Sequence, residues 1–284
     1  MNSQVHRVLL STVIVLGAIQ AKALADTIEI DTFVGGGQVG AYYGPYRPED
    51  DPPDSYPAVP APDISPSFQN YFMGRTTVSG FTTSERRPFF LFDTTSLASS
   101  IPSGHIITDL SISLELLPGG TSALANFAVG DKEVVEFTST PFSNEELLKP
   151  EDFSIPFETI WDTLGKSKPY GGFEILGPSH PEPSMTGTHE ISLAGGIEDL
   201  EDALASGEFF AVSARLETFD PGPIGKGATP VDAYEYVFGG TDVVTDSGMG
   251  TAPKLTITTS AVPEPSANLV LLGMLALVLR KRRC

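Results

Sequence analysis

Residues 106–117 read IITDLSISLELL. From Leu110 onward the residues alternate, with Leu110, Ile112, Leu114 and Leu116 on one side and Ser111, Ser113 and Glu115 on the other. Successive side chains of a strand point to opposite faces, so this period of two marks a strand with one face buried and one in water. Residues 99–105, SSIPSGH, make the turn before it, and Pro118-Gly119-Gly120 ends it. Just upstream, Arg86-Arg87-Pro88 leads into FFLFD, residues 89–93. That run lacks alternation, which suits a strand covered on both faces.

Further strand patterns lie on either side. They are TIEIDTFV (27–34, closed by Gly35-Gly36-Gly37), a hairpin within 124–137 about Gly130-Asp131, THEISL (188–193), EFFAVSARLE (208–217), YEYVF (234–238) and KLTIT (254–258). One helix interrupts them. Ile197, Leu200, Ala203 and Leu204 share a face at helical spacing, acids fill the first turns, and Gly207 can close the C-terminus. Its Leu200 and Leu204 are expected to be buried. Many short strands with Gly/Pro turns and one short helix predict an all-β fold, an antiparallel β-sandwich over residues 26–260. Residues 44–66 carry eight prolines, which forbid helix and central strand, so a long exposed loop is expected there.

The two ends have another character. Arg7, the apolar stretch Val8 to Ile19 and the small residues ending at Ala25 have the layout of a signal peptide over 1–25, cut between Ala25 and Asp26. At the other end, Pro263-Glu264-Pro265 precedes Ala267 to Leu279, which is uncharged and almost wholly apolar. Arg280, Lys281, Arg282 and Arg283 follow, and such a cluster favours the cytoplasmic side of a membrane. The expectation is an N-terminal signal helix and a short C-terminal membrane helix that threads inward and stops.

This tripartite tail, residues 261–284, resembles the PEP-CTERM sorting signal of Gram-negative bacteria. The resemblance implies recognition by an exosortase, a membrane-embedded cysteine protease, after export through the Sec machinery. A second PEPS at Pro181 to Ser184 has neither an apolar run nor basic residues after it, so the tetrapeptide alone carries little weight. The succession RRPFFLFD, IPSGHIITDLSISLEL, ISLAGGIEDLEDALASGEFFAVSARL, YEYVFGG and PKLTITTSAVPEPS is similar to PEP-CTERM proteins of unassigned function. More distantly it resembles DNRLRE-type modules, which implies a jelly-roll form of the sandwich.

Composition narrows the function. The chain has 284 residues and a net charge of −19. Loss of both ends lowers Lys plus Arg from 17 to 11 and Asp plus Glu from 36 to 35, for about −24. Nucleic-acid binding rests on cations that neutralise phosphates, so it is excluded. The sole cysteine, Cys284, lies in the tail, which excludes a disulfide-stapled fold and cysteine catalysis in the processed protein.

Motifs for chemistry are missing. There is no G-x-S-x-G, and Gly35-Gly36-Gly37 lacks the G-K-[ST] of a phosphate loop. His180, Glu182 and His189 do not have H-E-x-x-H spacing, and His105 stands alone in its turn. The acids Glu49-Asp50-Asp51, Glu151-Asp152, Asp242 and Asp246 could supply oxygens for Ca²⁺, the one candidate cofactor, but the D-x-[DN]-x-[DN]-G loop is absent. No catalytic or metal residue is assigned. Trp161, the only tryptophan, and Tyr170 are the candidates for stacking on a sugar. The expected function is that of an exported, non-catalytic surface or extracellular-matrix protein. A carbohydrate-binding module for extracellular polysaccharide is the alternative, and a polysaccharide-active enzyme the third.

Overall fold

A computed structural model describes residues 25–32, 38–43, 62–64, 71–75, 77–78, 81–82, 86–95, 97–116, 132–176, 187–217, 235–239 and 251–262. The strands are β1 (Ala25–Asp31), β2 (Gln38–Tyr43), β3 (Pro62–Ile64), β4 (Tyr71–Arg75), β5 (Thr77–Val78), β6 (Phe81–Thr82) and β7 (Arg86–Asp93). They continue with β8 (His105–Leu116), β9 (Lys132–Ser139), β10 (Pro169–Leu176), β11 (Gly187–Ser192), β12 (Phe209–Leu216), β13 (Glu235–Gly239) and β14 (Lys254–Ala261). The helices are α1 (Asn144–Leu148), α2 (Phe157–Thr163) and α3 (Ile197–Ser206), with 3-10 turns at Pro150–Phe153 and Ala194–Gly196.

The hydrogen-bonded strand order is β1-β14-β8-β13-β4-β7-β12-β9-β10. β11 adds to β8, β2 to β7 and β3 to β2, while β5 and β6 pair apart. The pairings are antiparallel throughout. The ribbon doubles over. Leu110, Ile112 and Leu114 of β8 and Leu255 and Ile257 of β14 share one core with Phe90 and Phe92 of β7, Val212 of β12 and Phe137 of β9. The result is an all-β sandwich. Where β10 passes β11 the backbones nearly touch: a Cβ on Gly171 would lie 2.0 Å from the Ser192 carbonyl oxygen. Only glycine permits that approach.

β7 bears out the two-sided burial expected of FFLFD. Phe90 and Phe92 face the sandwich core, while Phe89 and Leu91 enter a second cluster with Tyr42, Leu147, Ile160 and Leu164. That cluster lies under α1 and α2, which join β9 to β10. The expectation of one helix therefore fails, because a strand with two apolar faces needs a cover on each. A sequence signal for the cover exists. Ser143 and Glu146 form a capping box, each side chain bonding the other's backbone N–H, at the start of α1.

β8 departs from simple alternation. Ile257 pairs with Leu110 and Thr258 with Asp109, but Thr259 pairs with Ile107, so Thr108 is an extra residue in a β-bulge. The bulge reverses the phase, leaving Ile107 buried and Ile106 51% exposed. β3 occupies Pro62–Ile64 inside the predicted loop, but at a sheet edge, where a proline costs no ladder bond. The rest of residues 44–66 lies outside the described residues, as do Gly35-Gly36-Gly37 and the Gly130-Asp131 turn. Among the described residues no helix is long and apolar enough to cross a membrane. The predicted signal helix, with all of 1–24, and the predicted tail helix lie outside them.

α3 occupies the expected position and ends at Gly207, whose φ of 70° is the left-handed cap that glycine tolerates. It packs against β8 and β12, one strand from each half of the sandwich. Leu200 is fully buried, but Leu204 is only half-buried at the edge of the core. Leu200→Ala should therefore cost about 2–5 kcal/mol in urea unfolding, and Leu204→Ala clearly less. Equal losses would contradict this placement.

Candidate functional site

Trp161 and Tyr170 do not form a joint surface. Trp161 sits on α2, partly buried against the second cluster. The buried Arg87 lies across its ring, with Cζ 3.9 Å from the ring centroid, and Nη1 donates to the Trp161 carbonyl oxygen at 2.9 Å. A guanidinium on an indole face inside a protein is a strong local tie. It fixes α2 to β7 and takes up a face that a sugar would need. Tyr170 is only 5% exposed, belongs to the other cluster, and stacks on Phe210 at 5.7 Å between ring centroids. A ring so enclosed cannot stack on a polysaccharide.

Tyr170 nevertheless leads to a cleft of about 840 Å³. One wall is the chain entering α1, from Thr140 to Glu146. The other is Asp199, Asp202 and Ser206 of α3, with Glu208 and Phe209 beyond it. The Tyr170 hydroxyl donates to Asp199 Oδ2 at 2.7 Å, and Lys168 Nζ donates to Asp199 Oδ1 at 2.8 Å and to Glu198 at 3.3 Å. Burial above all, and then the bond to Asp199, raises the Tyr170 pKa, so the phenol stays a proton donor at physiological pH. The bond to Asp199 likewise raises the Lys168 pKa.

Five carboxylates therefore line one cleft: Glu145, Glu146, Asp199, Asp202 and Glu208. Glu146 is held by the Ser143 cap and Asp199 by Tyr170 and Lys168. Among the described residues the groups lining the cleft that can hold a proton are these acids and the phenol. It suits a ligand rich in donors, such as hydroxyls or ammonium groups, and repels anions. Sequence patterning missed the cleft because its acids come from two segments more than fifty residues apart.

The remaining candidates are scattered. Glu151 and Asp152 lie exposed on the Pro150–Phe153 turn. Glu49-Asp50-Asp51, Asp242, Asp246, His180 and Glu182 lie outside the described residues. Among the described residues no three His, Cys, Asp or Glu side chains converge as a metal site requires. His105 is not alone: at the start of β8 its Nδ1 is 3.1 Å from Thr259 Oγ1 and 3.7 Å from Asp26 Oδ2. Ala25 and Asp26, the predicted cleavage pair, lie in β1 opposite Ser260 and Thr259. Pro263, Glu264, Pro265 and Arg280, Lys281, Arg282 and Arg283 lie beyond the described residues.

No family model matches the chain, and no curated protein matches it.

His189 gives a test of the described core. Its ring stacks on Phe173 at 6.3 Å, and its buried Nε2 has no hydrogen-bond partner among the described residues. Burial lowers its pKa below the usual 6.5. Below about pH 6.5 the unfolded chain then binds the proton more readily than the folded one, so stability falls as pH drops towards the folded value. Wild type should lose more stability than His189→Phe between pH 7.5 and 5 in urea titrations. Parallel losses in the two proteins would refute the assignment.

Proposed function

We propose that the chain is an exported, non-catalytic protein of the cell surface or extracellular matrix, delivered there by a PEP-CTERM signal that an exosortase reads. The tail carries this reading: motif, apolar run and basic cluster stand in order over residues 263–283. Loss of the membrane-bound end would leave a strongly acidic sandwich, a form suited to remaining soluble outside the cell. Its jelly-roll character, the signal helix over 1–25 and the membrane helix over Ala267 to Leu279 belong to the same proposal.

The folded domain is compatible with such a signal. β14 finishes at Ala261, and the Val262 amide donates to the Gly104 carbonyl oxygen at 2.8 Å. The motif begins at the next residue, Pro263, which has no N–H to donate to a ladder. Two prolines keep that stretch extended and without ladder partners, a form a protease can grip. The basic cluster resists passage through hydrocarbon and meets an anionic inner leaflet, worth about 1 kcal/mol per cation.

Replacing Pro263 and Glu264 together by alanine should leave the tail inserted but stop processing, so that full-length protein accumulates in the membrane fraction. Mass spectrometry of released wild-type protein should find no peptide ending in Cys284. Released protein that retains Arg280 to Cys284 would make the tail a lasting anchor and overturn the sorting proposal.

A further inference from the structure

The two ends of the described chain lie side by side. β1 and β14 are antiparallel neighbours, with Ala25 opposite Ser260, and Ala261 is opposite His105 on the far side of β14. The segment before Ala25 and the segment after Val262 thus leave from one end of the sandwich. That end is also where exposed apolar side chains collect. Among the described residues the large exposed apolar side chains are Ile106, at 51%, Val262, at 47%, and Phe153, at 44%. Ile106 is paired with Ser260, so Val262, two residues further along the same strand direction, falls on the same face as a diagonal neighbour. Ala25, opposite Ser260, extends this face without charge, and Asp109 is the first charge reached inward along β8.

We infer that this end of the sandwich, with Ile106 and Val262 foremost, rests on the bilayer surface while the tail is inserted. The inference rests on the sorting reading, because it takes Ala267 as the start of the membrane segment. Geometry supplies the constraint. Five residues from Val262 to Ala267 reach at most about 17 Å when fully extended, and the headgroup layer itself takes up several ångströms of that span. The domain cannot stand off from the lipid. Charge chooses its orientation, since a chain of net charge −19 facing anionic lipid is best placed with an uncharged end downward. Among the described residues the acid beside this end is Asp26, which has His105 at 3.7 Å. Exposed aliphatic side chains gain by leaving water for the interface, whereas Phe153 projects from the helical insert. An enzyme that reads Pro263 to Pro265 would then work in the narrow gap between this end and the membrane.

Cys284 is the only cysteine, so one thiol can be moved about the full-length chain. In a Cys284→Ser background, Ile106→Cys, Phe153→Cys and Val270→Cys would each carry an environment-sensitive fluorophore. The labelled proteins are reconstituted in phosphatidylcholine–phosphatidylglycerol vesicles with and without a lipid-borne quencher. The inference expects blue-shifted, quenched emission at positions 106 and 270 and unchanged emission at 153. Quenching at 270 without quenching at 106 would overturn the inference and leave the sorting proposal standing. Quenching at 106 and 153 alike would mean adsorption without orientation and would also overturn it. No quenching at 270 would remove the membrane segment itself, and with it both proposals.

Discussion

The fold depends on β7 having no face for water. Phe89 and Leu91 point one way and Phe90 and Phe92 the other, and all four are fully buried. Each such side chain contributes about 1.5–3 kcal/mol when covered, and neither side can be left exposed. The inner pair is met by the opposite half of the doubled ribbon. The outer pair requires the insert between β9 and β10, where Leu147, Ile160 and Leu164 complete the cover. Arg87, brought into that interior by the same strand, is held by the Trp161 ring and carbonyl oxygen. The single tryptophan thus serves the architecture of this layer.

The same connectivity sets where chemistry can occur. The start of the insert and α3, which closes the sandwich between β8 and β12, leave the acidic cleft between them. The part-buried Tyr170–Asp199 bond pins its floor. At the far end of the strand order, β1 and β14 bring the two ends of the described chain side by side. One sheet therefore keeps its cleft and the ends of the described chain in separate places. That separation is compatible with the proposed role, in which the tail directs delivery and the acidic surface meets the exterior.

Legibility in the sequence followed the range of the interactions. Alternation at Leu110 to Leu114 and the unbroken FFLFD run identified β8 and β7, because a strand's burial is written in its own side chains. α3 was visible for the same reason, with helical spacing at one end and Gly207 at the other. The bulge at Thr108 was not, since it arises from the register between two strands far apart in sequence. α1 and α2 are too short for a periodic signal, although the Ser143–Glu146 box was there to be found. The cleft depends on Glu145 and Asp202 lining one hollow from two distant segments, and Tyr170 took a core place instead of a surface one because Phe210 and Asp199 close over it.

The central claim is that β7 is the shared wall of two cores, and native-state hydrogen exchange tests it most directly. The amides of Phe90, Leu91 and Phe92 should exchange only through global unfolding, while those of the edge strand β1 and of the short α1 open locally and much sooner. β7 amides that exchange as readily as those of β1 would contradict the account.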